Sequence, residues 1–471
     1  MSDATVDRPA AVLVAVQLPG VSDGELASEL AELRQLVKTL GFETIGALTQ
    51  RRASLSAAAV VGKGKLRELA SFTGGSGKVP SGAPQHQSKA RERAREEALS
   101  DPGLDGEEEE QSDPEPGPLD GTPVAPGGRR ATLVVADHQL TPSQARNLER
   151  ATGAQVLDRT GVIVEIFHRH ARSREAKLQV ELARLSYVAP RLRETGGGGD
   201  RQRGGIGGKG AGESEVELDR RKIRDRMAEL RSELAAVQRD QQTRRHQRAE
   251  QRRVALVGYT NAGKSSLMRA LTGSGVLVAD KLFATLDTTV RALQPPARPR
   301  VLVSDTVGFI KRLPHELVAS FRSTLDEALD ASLLLYVVDA SDPMHREQLD
   351  VTRSVLAEIG ASGVPSRLLL NKIDRLNGEE RAAMQAQYPE AILLSAGDTG
   401  DVAGLREAIV AFFEESMVEG ELLVPYGKQS LLGKVHEEMH VLTEEYDESG
   451  ARLRVRANRS GLERLQVLLS R

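Results

Sequence analysis

The stretch Gly258-Tyr259-Thr260-Asn261-Ala262-Gly263-Lys264-Ser265-Ser266 sets two glycines around four residues, then adds a cation and two hydroxyls. That spacing suits a triphosphate. The glycines let backbone N–H groups close around a β-phosphate at a helix N-terminus. Lys264 brings positive charge toward the β- and γ-phosphates, and the Ser265 hydroxyl is placed to ligate Mg²⁺. The flanks are those such a loop needs. Val254-Ala-Leu-Val257 predicts a buried strand before it, and Ser266-Leu-Met-Arg-Ala-Leu271 a helix after it. A glycine turn arising by chance would not carry both. Further on, Val301-Leu-Val-Ser304 predicts a strand running into Asp305-Thr306-Val307-Gly308. Asp305 is the candidate carboxylate for holding Mg²⁺ through water, and the Gly308 N–H is placed to meet a γ-phosphate.

Two more apolar runs end in polar residues: Leu333–Val338 at Asp339, and Arg367–Leu370 at Asn371-Lys372-Ile373-Asp374. The second resembles N-K-x-D, the guanine-reading motif of the GTPase superfamily. The resemblance implies that the Asp374 carboxylate accepts the two N–H donors of the guanine edge, with Asn371 and Lys372 supporting the base pocket. Ser395-Ala396, after a predicted strand at Ala391–Leu394, resembles that superfamily's contact to the guanine oxygen. GTP and GDP are therefore the expected ligands, with Lys264, Thr285 and Gly308 as the expected catalytic groups. In Ras-like GTPases a glutamine follows the D-x-x-G glycine and orients the attacking water. Phe309 stands there and cannot. The chain thus resembles the translation-factor-related GTPases with a hydrophobic residue at that place, and slow hydrolysis that depends on a partner or on rearrangement is expected. A plain core role for Phe309 is compatible with this. The switch threonine that meets Mg²⁺ and the γ-phosphate is to be chosen among Thr285, Thr288 and Thr289. Similarity to F-x-T-L segments of related GTPases favours Thr285, with Thr288 second. Asn261 resembles the asparagine of cation-activated GTPases, in which K⁺ partners Mg²⁺, although asparagine equally suits a turn.

These groups need strands and helices to hold them. The chain has 471 residues, too many for one core and enough for roughly three domains. Its net charge of -3 means that any nucleic-acid contact must come from local patches. It has no cysteine, which excludes disulfides and thiolate metal sites and fits a reducing compartment. The opening MSDATVDRPA lacks the basic-then-apolar layout of a signal peptide, and the longest strongly apolar run falls far short of a membrane helix. A cytoplasmic protein with no membrane span is expected.

The expected fold is α/β and multidomain. An N-terminal α/β domain covers 1–170, with strands at Ala11–Val16 and Ala57–Val61. It is interrupted at 73–129 by an acidic, proline- and glycine-rich insert expected to be disordered. Order resumes with a strand from Ala131, and Thr141-Pro142 marks a helix start. An antiparallel helical hairpin arm follows at 171–250. One stripe runs through Leu178, Leu182, Leu185 and Val188, the other through Ile223, Met227, Leu230, Leu234 and Val237. Its tip at 195–213 is rich in glycine, and Ser214-Glu-Val-Glu217 matches a capping box. Its outer faces carry Arg220, Arg221, Lys222, Arg224, Arg226, Arg244, Arg245, Arg248, Arg252 and Arg253. On charge alone this is a solvated helix laced with ion pairs. A P-loop GTPase domain at 251–416 has a mostly parallel sheet with helices on both faces, and a small α+β domain closes the chain at 417–471. His436-Glu-Glu-Met-His440 matches a zinc-protease pattern but is better read as an amphipathic helix with two histidines. His168-Arg-His170 reads as surface. Gly204-Gly-Ile-Gly-Gly-Lys-Gly210 lacks both the preceding strand and the hydroxyl of a second phosphate loop.

The whole layout resembles the HflX family of ribosome-associated GTPases. Segments beyond the GTPase domain carry the likeness: Val61-Gly-Lys-Gly-Lys-Leu66, Leu140-Thr-Pro-Ser-Gln-Ala-Arg-Asn-Leu-Glu149, Asp158-Arg-Thr160, Gln179-Val-Glu-Leu-Ala183 and the glycine-rich tip. The resemblance covers about 1–72 and 130–471, and the insert departs from it. It implies binding to the large ribosomal subunit and its RNA, and splitting or rescue of stalled or stressed ribosomes by a monomer. On that reading Arg201, Arg203 and Lys209 at the tip neutralise RNA phosphates. Two other readings stand beside it: a GTP-regulated adaptor whose arm binds a protein, and an ATP-dependent RNA remodeller working through the N-terminal domain.

Overall fold

The computed structural model describes residues 8–56, 58–79, 129–192, 215–246, 252–273, 282–283, 289–297, 300–312, 327–415, 417–457 and 459–470. They divide into two compact units, one running to Ile163 and the other beginning at Val164.

The first unit holds a four-stranded parallel sheet in the order β2-β1-β3-β4. Strand β1 (Ala10–Gln17) is buried along its whole length, as a central parallel strand flanked on both faces must be. Helix α1 (Asp23–Thr39) starts at a capping box, with the Glu25 N–H donating to Ser22 Oγ and the Ser22 N–H to Glu25 Oε2. Strand β2 (Glu43–Arg51) and helix α2 (Lys63–Thr73) follow. The expected strand at 57–61 does not form. Ala59, Val60 and Val61 are buried, but Val60 takes a φ of 68°, and only one bridge, Ser56 to Val60, closes the turn. This stretch plugs the core as a loop. It is held by amides of α3 (Pro142–Thr152), where Gln144 Nε2 donates to Ser56 O and Asn147 Nδ2 to Ala58 O. The expected insert also begins too early at 73. The Gly77 N–H donates to Ala151 O, and Val79 packs on the core. Most of the remainder lies outside the described residues. Strand β3 (Ala131–Ala136) then pairs beside β1, and β4 (Gln155–Asp158) completes the sheet. Helix α4 (Arg159–His170) is capped by Asp158, whose Oδ1 accepts the Gly161 N–H at 2.8 Å.

In the second unit, α5 (Arg174–Leu192) and α6 (Glu215–His246) pack as an antiparallel pair. Ion pairs join Arg174 to Glu233 at 3.2 Å and Arg226 to Glu181 at 2.9 Å. The capping serine and the glycine-rich tip fall outside the described residues. Two of the arginines assigned to the arm belong elsewhere. Arg252 and Arg253 open strand β5 (Arg252–Val257) and are buried. Arg253 faces Glu327 and Asp330, and Arg252 lies over the Phe413 ring.

Strand β5 sits inside a six-stranded sheet of order β10-β9-β8-β5-β7-β6. Its partners are β6 (Thr289–Ala292), β7 (Val301–Asp305), β8 (Leu333–Asp339), β9 (Ser366–Asn371) and β10 (Ile392–Leu393). All pairings are parallel except β6 with β7. Helices α7 (Lys264–Thr272) and α10 (Thr399–Glu415) cover one face through Leu267, Leu271, Leu405 and Ile409. On the other face, α8 (His345–Glu358) and α9 (Gly378–Gln387) place Leu349 and Met384 against Val338 and Leu370. Period-two alternation along β8 and β9 serves both cores.

The last part is a three-stranded antiparallel sheet, β11 (Val418–Pro425), β13 (Gly450–Ala457) and β12 (His440–Asp447), with α11 (Ser430–Glu438) and α12 (Arg459–Ser470). His436 and His440 do not share a helix, because α11 ends at Glu438 and His440 opens β12. Among the described residues no histidine–carboxylate cluster can hold a metal ion, and no helix is long and apolar enough to cross a membrane.

Candidate nucleotide site

The loop after β5 is shaped by two close approaches. A Cβ on Gly258 would lie 2.2 Å from the Val337 carbonyl oxygen of β8, and one on Gly263 would lie 2.1 Å from Asn371 Nδ2. Gly263 also has a φ of 98°, which glycine adopts freely and which lets α7 begin at Lys264. The helix N-terminus therefore opens toward the loop, where its free N–H groups attract an anion. Lys264 is buried at 6% exposure and donates to Gly258 O at 2.9 Å and to Tyr259 O at 2.7 Å. Burial pushes its pKa down to about 8, with Asp305 opposing the shift and Lys372 adding to it. Ser265 Oγ donates to Asp305 Oδ2 at 2.7 Å. A hydroxyl and a carboxylate side by side are the hard oxygen donors that Mg²⁺ takes, so these two residues fit that ion. Ser266 is half-buried next to them.

The segment after β7 is stitched to this loop. The Thr260 N–H donates to Phe309 O at 2.8 Å, and the Phe309 N–H to Gly258 O at 3.1 Å. The Lys311 N–H donates to the Tyr259 hydroxyl at 2.8 Å. Gly308 lies between them, where a Cβ would come within 2.8 Å of Thr260 Cγ2 and 3.1 Å of Lys264 Nζ. Phe309 is 2% exposed, so its ring belongs to the interior.

A second group of residues meets the same loop from β8, β9 and β10. Asn371 Nδ2 donates to Ala262 O at 2.8 Å, while its Oδ1 accepts the Ala396 N–H at 3.1 Å. Lys372, at a φ of 65°, donates to Asn261 O and pairs with Asp339 Oδ2, both at 2.7 Å. Asp374 is exposed, and Ser395 Oγ donates to its Oδ1 at 2.6 Å. That bond holds the Asp374 carboxyl below the usual carboxylate range. Ser395 is fixed in turn by its own N–H, which donates to Asp401 Oδ2. The fold thus brings 258–266, Asp305, Gly308, Asn371, Lys372, Asp374, Ser395 and Ala396 to one end of the sheet. A basic and an acidic cradle sit side by side there, suited to a phosphate chain and to a base with paired N–H donors.

Thr285 and Thr288 lie outside the described residues, as do Arg201, Arg203 and Lys209. Thr289 opens β6. Just before it, Phe283 is buried against Phe167 of α4, with ring centroids 4.6 Å apart in an edge-to-face arrangement. On the arm, Lys222 pairs with Asp219 and Arg226 with Glu229, as a solvated helix would. Sequence reasoning passed over Asp339, noting it only as a strand end. The available signal was an acid closing a buried parallel strand whose neighbour ends in Asn-Lys.

Three family models match: "GTP-binding GTPase N-terminal" over 27–78 and 125–168, "GTP-binding GTPase Middle Region" over 170–248, and "50S ribosome-binding GTPase" over 253–372. The chain is 61% identical over 462 residues to the GTPase HflX of Gluconacetobacter diazotrophicus, covering 98% of each chain. It is 36% identical to that of Caldanaerobacter subterraneus over 99% of this chain and 95% of the relative. It is 40% identical to that of Escherichia coli over 68% and 76%. A solved GTP-binding protein from the archaeon Sulfolobus solfataricus, in complex with GDP, matches with a TM-score of 0.43 at 22% identity, covering 86% of this chain and 99% of that one.

Proposed function

The chain belongs to the HflX family of GTPases, and from that premise we propose that it acts on ribosomes, binding the large subunit in a nucleotide-dependent way and splitting or rescuing stalled or stressed particles. It binds GTP through its P-loop domain and hydrolyses it. On our reading, Lys264 and the N–H groups of 258–266 hold the phosphates, Gly308 meets the γ-phosphate, and Asp374, with Asn371, Lys372, Ser395 and Ala396, reads guanine. Ser265 and Asp305 would hold Mg²⁺, which supplies charge neutralisation at the phosphates when bound. Thr285 completes the switch. Asn261 has a φ of 60°, a conformation asparagine favours of itself, so the reading needs no K⁺ there.

The observation that carries the ribosomal reading is Phe309. The group that follows Gly308 is a buried ring tied by its backbone to the phosphate loop. No side chain at that position can orient water, so hydrolysis awaits an outside structure. The large subunit supplies it, with the basic arm and its tip residues Arg201, Arg203 and Lys209 as the RNA contact, in the cytoplasm and under stress. The test is the GTPase rate with and without purified large subunits, together with co-sedimentation in GDP and in a non-hydrolysable GTP analogue. Stimulation and analogue-dependent pelleting are expected, both weakened when Arg201, Arg203 and Lys209 become alanine. A rate indifferent to ribosomes would overturn the proposal in favour of an adaptor.

A further inference from the structure

We infer that Glu347, acting through Lys311, is a positioning residue for the segment after β7, and that this ion pair weights the GTPase toward GDP and against GTP. Residues 308–311 lie against the phosphate loop. Phe309 and Tyr259 form an isolated parallel bridge, with the Thr260 N–H donating to Phe309 O at 2.8 Å and the Phe309 N–H to Gly258 O at 3.1 Å. The Lys311 N–H donates to the Tyr259 hydroxyl at 2.8 Å. The Lys311 ammonium then reaches away from the loop and pairs with Glu347 in the first turn of α8. The two side chains are 21% and 45% exposed, so water screens the pair only in part. The next residue, Arg312, takes a φ of 56°, so the backbone bends directly after the lysine. The loop therefore holds this segment from one side and α8 from the other. The held position leaves little room. A Cβ on Gly308 would lie 2.9 Å from Thr260 Cα and 3.1 Å from Lys264 Nζ. The inference rests on the reading above, in which the γ-phosphate enters between that ammonium and the Gly308 N–H. Space for it is made by moving 308–311 outward, which pulls Lys311 from Glu347. GDP asks for no such shift. A contact kept in one nucleotide state and lost in the other biases the equilibrium between them.

The experiment compares Glu347→Gln, Lys311→Met and the double variant with the parent. Dissociation constants are measured for GDP and for a non-hydrolysable GTP analogue in Mg²⁺. Each single variant should raise the analogue-to-GDP affinity ratio about threefold, the worth of a partly exposed ion pair, with GDP affinity itself held within about 1.5-fold. The double variant should rise no further than either single one, because both break the same contact. Loss of a favourable charge at the α8 N-terminus would act in both nucleotide states and leave the ratio alone. An unchanged or lowered ratio in the single variants, or effects that add in the double variant, overturns the inference. If Lys311→Met does not fold, Glu347→Asp, which keeps the charge, is read against Glu347→Gln and should return the ratio toward the parent, whereas equal ratios in the two would overturn the inference. The underlying reading fails differently, through a Gly308→Ala protein that binds GDP and keeps the parental ratio.

Discussion

Raising the pH from 7 to 8.5 should weaken nucleotide binding about fourfold through Lys264 alone. With only protein groups around it, burial holds this lysine at about 8, against an ordinary 10.5. About 0.9 of it is protonated at pH 7 and about 0.24 at pH 8.5, and the ratio of these fractions sets the loss if only the ammonium form grips phosphate. Phosphate charge restores the lysine's preference for its proton, so binding at pH 8 should take up about half a proton. The sign for folding follows. A lysine pKa lowered in the fold disfavours the folded state below pH 8, where the group is charged in both states. That cost, about 3 kcal/mol, is relieved as pH rises from 8 toward the unfolded value. Calorimetry of GDP binding in two buffers of different protonation enthalpy measures the uptake directly. The phosphate of GDP titrates near pH ~6, below this window. Constant affinity between pH 7 and 8.5, with no proton uptake at pH 8, would refute the assignment.

Three other outcomes follow from distances in the structure. In the first unit, Arg159 meets Asp137 at 3.0 Å and Glu32 at 2.8 Å, with the Asp137 side chain fully buried. Arg159→Met takes away the cation facing that carboxylate and should destabilise the unit by about 3–5 kcal/mol in urea titration, whereas a loss below about 1 kcal/mol would count against it. On the proposed reading of Asp374 as the guanine acceptor, Asp374→Asn puts an amide where the two N–H groups of guanine need acceptors. GTP affinity should fall about a hundredfold and that for a xanthosine nucleotide, with its carbonyl at that edge, should rise. Asp339→Asn frees Lys372 from its 2.7 Å partner. GDP release in stopped flow should quicken about tenfold with guanine preference kept, and an unaltered rate would show that the pair does not position the lysine.

The sequence made the chemical strand ends of the GTPase domain readable because physics writes them twice. A run such as Val254–Val257 is apolar on both faces, and the polar residues follow where the strand leaves the core. Strand β2 carried no such mark. It is an edge strand in which only Leu48 is buried, so ETIGALTQR shows little contrast. The apolar residues at 59–61 imitated a strand because burial, not pairing, demands them. Arg252 and Arg253 looked like arm residues because charge usually means solvent, yet Glu327, Asp330 and the Phe413 ring receive them in a strand. Contacts made across long separations, such as Lys372 with Asp339 or Arg159 with Glu32, are properties of the packed chain and leave no local pattern.

The two amide and ammonium bonds from Asn371 and Lys372 to successive carbonyls, Ala262 O and Asn261 O, have a thermodynamic corollary. On the proposed reading, in which Asn371 and Lys372 stand beside the base and 258–266 around the phosphates, the two ends of the site form a single hydrogen-bonded body. A guanosine fragment that orders one end pre-organises the other, so guanosine and pyrophosphate offered separately should each tighten the other's hold by the same factor. Inhibitors grown outward from the nucleoside end would then inherit a stiffened anion cradle without having to touch it.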